Sequence, residues 1–169
     1  QYKVFLEENP FHPEGGGQPG DSGDIRSDRF RGTITGCQKE GADKYLEVLV
    51  QEGYPETGET VEVFLDDARN LMLSRYHTAQ HLFSRVLEDR YNGLLTTKVN
   101  IHDRSSTVYF HYDGDLSLRD IFDAEEQVND IIRQGLEVEV QSYDYHTATT
   151  IEGIKAKWEL LSHEEPVRV

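Results

Sequence analysis

The chain has 169 residues, 36% of them hydrophobic and 10% aromatic, with 32 acidic against 17 basic side chains and a formal charge of -15. That is enough for one ordinary domain or two small ones with a real core, and the acidity argues against general nucleic-acid affinity, which needs local positive charge. Cys37 stands alone, which excludes a disulfide framework and reads as a reducing, cytoplasmic setting. No apolar run approaches the ~20 residues of a membrane span. The start, QYKVFLEENP, lacks the basic flank and apolar stretch of a signal peptide. It also lacks Met, so further residues are expected before Gln1.

The first part reads as short strands separated by Gly and Pro: Tyr2 to Glu7 around Val4 and Leu6, Phe30 to Gly36, Tyr45 to Gln51, and Glu59 to Leu65 around Val61 and Val63. Strands of this length and spacing predict a small barrel or folded sheet. Cys37, at the end of the strand FRGTITGC, is expected as a small buried residue. Asp66 and Asp67 can cap a long helix that runs to about Tyr91 and ends at Asn92-Gly93. Two strands follow, Leu95 to Ile101 and Ser106 to Tyr112. Ser117 opens a second helix, with Asp120 three residues on and an apolar stripe of Leu118, Ile121, Val128, Ile131 and Ile132. Gly135 closes that helix. Glu137 to Tyr145 alternates as a strand, and Thr147 to Lys157 reads as a short helix. The order predicts an α+β protein: a small β-barrel-like domain over residues 1–65, then an α+β domain over 66–169 with helices packed on an antiparallel sheet.

His77 and His81 form an H-T-A-Q-H run on the long helix. Imidazoles one turn apart can grip a single metal ion. The helix's apolar stripe runs through Ala68, Met72, Tyr76, Ala79, Phe83 and Val86. At ~100° per residue both histidines fall opposite it, with Asn70, Ser74, Ser84 and Glu88 on their side. Two ligands do not make a zinc site, which needs four, or three and a water. Thr78 stands where an H-E-x-x-H protease has its general base, which weighs against that class. Cys37, His12, His102, His111, His146 and His163 are the other possible ligands, and spacing does not choose among them. His111, in an alternating strand, fits cross-strand packing better. Two solvated or hydrogen-bonded histidines are the plain alternative.

The segment Asn9 to Gly23, NPFHPEGGGQPGDSG, holds three consecutive glycines, Gly15, Gly16 and Gly17. Such a run lets the backbone take φ > 0 and approach a ligand closely, and its N–H groups can hold a carbonyl oxygen, a ribose hydroxyl or a phosphate. Gln18 can donate and accept beside it. No G-K-[ST] follows, so this is not a P-loop. A tight cluster of turns is the plain alternative. Glu14 and Asp21 are possible acid/base groups, though loop carboxylates are usually solvated.

Together these segments resemble the editing domains of alanyl-tRNA synthetases and their free-standing relatives, the AlaX proteins. NPFHPEGGGQPGDSG is similar to the family's glycine-rich segment, DDARNLMLSRYHTAQHL to its H-T-A-x-H-L helix, and VNDIIRQGLEVEV to a later helix end and strand. The resemblance implies a fold like the editing domain of threonyl-tRNA synthetases. It also implies hydrolysis of alanine-specific tRNA wrongly charged with serine or glycine, with the tRNA acceptor end as partner. A zinc ion is implied, held by His77, His81 and a Cys and a His from a C-x-x-x-H motif, with Gln18 as an editing residue. No C-x-x-x-H occurs in this sequence, and a missing C-terminal piece is the expected reason, leaving half of the ligand set here.

On that reading, the backbone N–H groups of Gly15, Gly16 and Gly17 receive developing negative charge, and Gln18 places the 3′-adenosine or the water. A threonine hydroxyl distinguishes serine from alanine, with Thr96, Thr97 and Thr78 as candidates. Arg26, Arg29 and Arg31, or Arg69, Arg75, Arg85 and Arg90 on the long helix, are expected to meet the acceptor stem. The alternative is a non-catalytic tRNA-binding or dimerisation module of the same fold; oligomeric state stays open.

Overall fold

The computed structural model describes residues 1–154, 156 and 158–169. They form two compact units, Gln1–Asp130 and Ile131–Val169. The boundary expected near Leu65 falls within the first unit, where the chain passes from its last sheet strand into its long helix.

In the first unit, β1 (Tyr2–Phe5), β2 (Gly23–Arg26), β3 (Phe30–Glu40), β4 (Asp43–Gly53) and β5 (Glu62–Leu65) make one antiparallel sheet in the order β1-β4-β3-β2-β5. The expected barrel is therefore an open sheet with β1 and β5 as its edges. The sequence reading missed β2, because GDIR is short and buries only Ile25. It also shortened β3 and β4, whose outer ends are the charged residues flanking a two-residue turn at Gly41 and Ala42. The core is Phe11, Ile25, Phe30, Ile34, Cys37, Leu46 and Val48, with Val4, Leu6, Val50, Val61, Val63 and Leu65 packed against it. Cys37 is buried here, as expected, and burial pushes its thiol pKa up. Phe11 belongs to the glycine-rich segment and is fully buried. Lys44 Nζ donates to the carbonyls of Asn9 (2.7 Å) and Phe11 (3.1 Å), so the start of that segment is anchored in the sheet.

The long helix α1 (Asp67–Arg90) is capped by Asp66, whose side chain accepts from Arg69 N. Its buried residues are Leu73, Gln80, Ser84, Val86 and Leu87. Four of them, at 73, 80, 84 and 87, lie on one face, and at ~100° per residue His77 falls within that face and His81 on its flank. The expected stripe, with the histidines opposite, is thus corrected. Apolar periodicity misplaced the inner face because two of its residues are polar and satisfy each other: Gln80 Nε2 donates to Ser84 Oγ at 2.9 Å.

Strands β6 (Leu95–Ile101) and β7 (Ser106–His111) form a separate antiparallel pair with a register shift between Thr96 and Lys98. His111 sits opposite Leu95 in that pair. Helix α2 (Leu118–Gln134) starts at Ser117, whose backbone N–H and hydroxyl both donate to Asp120 Oδ2 (2.8 and 2.6 Å), while Asp120 N–H donates back to Ser117 Oγ. The two bonds from Ser117, with one from Tyr91, hold the Asp120 carboxyl at a pKa of about 2.

In the second unit, β8 (Ser142–Tyr143) pairs antiparallel with β9 (Val167–Arg168), and α3 (Tyr145–Thr150) is capped by Asp144. Alternation had predicted a strand over 137–145. Only 142–143 form it, and Leu136, Val138 and Val140 are exposed, because alternation makes a strand only where a neighbour takes up its backbone groups. The helix expected over 147–157 is α3, shorter and earlier; Lys155 and Lys157 lie outside the described residues.

Leu46 is fully buried while Leu49, on the same strand, is 52% exposed. Leu46→Ala is expected to cost about 2–5 kcal/mol and Leu49→Ala no more than about 0.5 kcal/mol, measured by urea unfolding of each variant.

Candidate functional site

The three-glycine run folds as a two-residue hairpin turn. Gly15 N–H donates to Gln18 O (3.0 Å), and Gln18 N–H donates back to Gly15 O (2.9 Å). The central residues Gly16 and Gly17 have φ of 59° and 83°, the combination of a type I′ turn. Ile101 N–H donates to Gly17 O at 2.7 Å, seating the turn on β6. A Cβ at Gly17 would lie 2.3 Å from Val99 O, and one at Gly16 3.3 Å from His77 Cε1. Glycine is thus required at Gly17 twice over, by backbone conformation and by space.

This turn brings Gln18 to the helix histidine. Gln18 is 4% exposed, and its Oε1 lies 2.9 Å from His77 Nδ1. An amide oxygen can only accept, so Nδ1 carries the proton and His77 Nε2 presents a lone pair. Burial lowers the His77 pKa, and the neighbouring His81 and His12 act in the same direction. Both effects favour the uncharged ring. His77 and His81 stack with centroids 4.8 Å apart and planes inclined by 20°. His12, Gln18, Asn70, Ser74, His77, Thr78 and His81 line an open cleft of about 380 Å³.

The other candidate residues fall in different places. Gly15 spends its N–H on Gln18 O, whereas the N–H groups of Gly16 and Gly17 have no acceptor among the described residues. Thr78 lines the cleft and donates to Ser74 O at 3.0 Å. Thr96 and Thr97 do not line it. Thr96 N–H donates to Glu88 Oε1 (2.9 Å), and its buried hydroxyl has no hydrogen-bond partner among the described residues. Thr97 Oγ1 donates to Tyr109 O across the β6–β7 pair. Glu14 is exposed and accepts from Gln38 Nε2. Asp21 is not the solvated loop carboxylate expected: it is 1% exposed and accepts from His12 N–H and Asn70 Nδ2. Sequence reasoning placed Asn70 on the histidine side of α1 but gave it no role. Its signal was the seven-residue, two-turn spacing to His77.

The donor set fits a divalent metal in part. A neutral imidazole with one nitrogen held by a hydrogen bond and the other free is the state of a metal-ligating histidine. Among the described residues, no group of three or more His, Cys, Asp or Glu side chains is placed to hold a metal ion.

Comparison with known proteins sets this geometry in context. The family model described as tRNA synthetases class II (A) matches residues 1–69. The chain is 32% identical over 142 residues to the alanyl-tRNA editing protein AlaX-L of Pyrococcus horikoshii, covering 84% of this chain and 34% of that protein. It is 30% identical to a putative alanyl-tRNA editing protein of Saccharomyces cerevisiae, covering 78% of this chain and 32% of that one. Against the alanine–tRNA ligase of Fusobacterium nucleatum it is 29% identical, with 88% and 17% covered. The chain thus resembles the family of alanyl-tRNA synthetase editing domains and AlaX proteins over most of its length. It spans about a third of those AlaX proteins and about a sixth of that ligase. No helix among the described residues is long and apolar enough to cross a membrane.

Gly17→Ala should unseat the turn, because it combines a left-handed conformation costing about 1–2 kcal/mol with the clash on Val99 O. Gly41→Ala has a similar φ of 65° but open space around it, and it should cost only the conformational part. Equal losses in urea unfolding would show that the Val99 contact does not matter.

Proposed function

We propose that the cleft is the editing site of an aminoacyl-tRNA deacylase, which hydrolyses the ester joining serine or glycine to the terminal ribose of alanine-specific tRNA. The observation that carries this reading is the contact between Gln18 and His77: it joins the family's two motifs into one cleft, with a stacked imidazole pair beside a glycine turn. An aminoacyl ester is activated, so a site need only position a water and stabilise an oxyanion. The turn offers the N–H groups of Gly16 and Gly17 for that charge, with Gly15 holding the turn's shape. Gln18 Oε1 fixes the His77 tautomer, and its amide NH₂ remains to orient water or the 3′-adenosine. His77 and His81 would supply two of the ligands of a zinc ion. Bound zinc supplies Lewis acidity, lowering the pKa of a water or polarising a carbonyl.

For recognition of the serine hydroxyl, Thr78 lines the cleft and keeps acceptor capacity, while Thr96, outside the cleft lining, has a buried hydroxyl without a hydrogen-bond partner among the described residues. Thr97 is the least suited, since its hydroxyl already serves Tyr109. The tRNA must approach a chain of strong negative charge. Arg26, Arg29, Arg69 and Arg85 are paired with Glu62, Glu56, Asp103 and Asp89, and Arg90 donates to Gln127. Arg31 and Arg75 have no acidic partner among the described residues and are the candidates for phosphate. A cytoplasmic setting is part of this proposal.

The experiment is hydrolysis of Ser-tRNA(Ala), with zinc content measured alongside, in the protein at its natural full length. Gln18→Ala is expected to lower kcat by about 100-fold, the scale of losing one positioned polar group in a water-excluded site. Replacing His77 and His81 with Ala should remove bound zinc, and chelation of the parent protein should abolish hydrolysis. Undiminished hydrolysis by Gln18→Ala would remove that residue from the site. Tight tRNA binding with no hydrolysis in the metal-loaded protein would favour the non-catalytic module instead.

A further inference from the structure

We propose that Asp21 and Asn70 form a positioning clasp, a buried carboxylate–amide pair that seats the glycine turn on α1 and so holds Gln18 against His77. Its catalytic meaning rests on the function proposed above; the seating itself does not.

A carboxylate buried to 1% exposure loses its hydration and persists only if hydrogen bonds replace it. Those bonds are specific here. Asp21 Oδ2 accepts from His12 N–H at 2.7 Å and from Asn70 Nδ2 at 3.1 Å, and Oδ1 is 3.0 Å from the same nitrogen. Asp21 N–H in turn donates to His12 O at 2.9 Å. The residue therefore does two things. It closes residues 12–21, the span that carries the turn and Gln18, into a loop with fixed ends. It also attaches that loop to the helix.

The attachment continues on both sides of Asp21. Arg69 Nη1 donates to Gly20 O at 3.0 Å, and Asp66 N–H donates to Ser22 O at 2.9 Å. Three consecutive loop residues thus bond to the N-terminal end of α1. Asn70 and His77 are two turns apart on one face, about 10.5 Å along the axis. The loop is consequently held to a single rigid helix at two points, Asp21 on Asn70 and Gln18 on His77. Helix geometry fixes the distance between them. Asp21 does not line the cleft, so it acts through Gln18 and not on substrate.

The swap of the two side chains makes this testable. Asp21→Asn sets an amide donor against the Asn70 amide or the His12 N–H. The double variant Asp21→Asn with Asn70→Asp keeps the net charge and restores one bond to each partner: the new amide at 21 accepts from His12 N–H and donates to the new carboxylate at 70. Two readouts in the 169-residue chain follow seating without needing activity. One is amide exchange of Ile101, whose N–H is bonded to Gly17 O, relative to amides of β3 and β4. The other is the ¹⁵N resonance pair of the His77 ring, which reports the tautomer held by Gln18. Asp21→Asn is expected to speed Ile101 exchange by about 10-fold or more, the scale of losing a charge-assisted hydrogen bond, with the sheet amides unchanged and the His77 tautomer no longer fixed. The double variant is expected to return both signals to the parent values. Asn70→Ala, which leaves the His12 bond in place, should reproduce the Ile101 effect and serves if Asp21→Asn does not fold. Unchanged Ile101 exchange and His77 resonances in the folded single variants would overturn the clasp. So would a double variant that folds but restores neither, or exchange that rises equally throughout the sheet. If the parent protein hydrolyses no Ser-tRNA(Ala), the proposed function fails while these signals still decide the clasp.

Discussion

Everything at this site depends on how closely a backbone can approach an imidazole. The turn at Gly16 and Gly17 rests where any side chain would push against His77 or Val99, and the left-handed conformation it needs is one that glycine alone adopts without cost. That contact puts the Gln18 carbonyl at His77 Nδ1, and the amide then decides which imidazole nitrogen is free. The chemistry open to the cleft follows from a packing constraint on two residues that have no side chains.

The same constraint explains the composition of the inner face of α1. A helix that must present a histidine to a polar turn cannot be apolar along that whole face. Gln80 and Ser84 continue the polar character inward and satisfy one another, while Leu73 and Leu87 supply the apolar contacts at either end. Asp21 meets the equivalent problem from the loop side, carrying a charge into the interior with donors waiting for it. Polar burial of this kind contributes little net stability but strongly penalises misplacement, which suits a segment whose geometry matters more than its affinity for the core.

The family resemblance and most element positions were legible in the sequence, since they depend on local signals. The caps Asp66 and Ser117, the turn residues around Gly93 and Gly135 and the alternation in β3, β4, β6 and β7 all act over a few residues. Less legible was anything decided by long-range contact. The inner face of α1 was misread because amide and hydroxyl groups paired across one turn count as polar in any periodicity. The strand expected over 137–145 shrank to two residues because alternation does not say whether a neighbour is present. Asp21 was read as solvated because nothing within ten residues of it announces Asn70. The cleft brought Gln18, His77, His81 and Thr78 together, but spacing alone could not say that Thr96 and Thr97 would lie outside it.

The contact between Gln18 and His77 joins positions 59 residues apart in the chain, and that between Asp21 and Asn70 joins positions 49 apart. The intervening residues are the greater part of the five-stranded sheet. During synthesis the glycine segment therefore leaves the ribosome well before the helix it needs, and it must wait for β2 to β5 to assemble before its own geometry exists. Closing a loop of that length costs entropy that only slowly increases with further length, so the sheet between serves as the frame that draws the two ends together. Local opening of that frame, even with α1 intact, would disperse the cleft before the rest of the unit had lost its secondary structure.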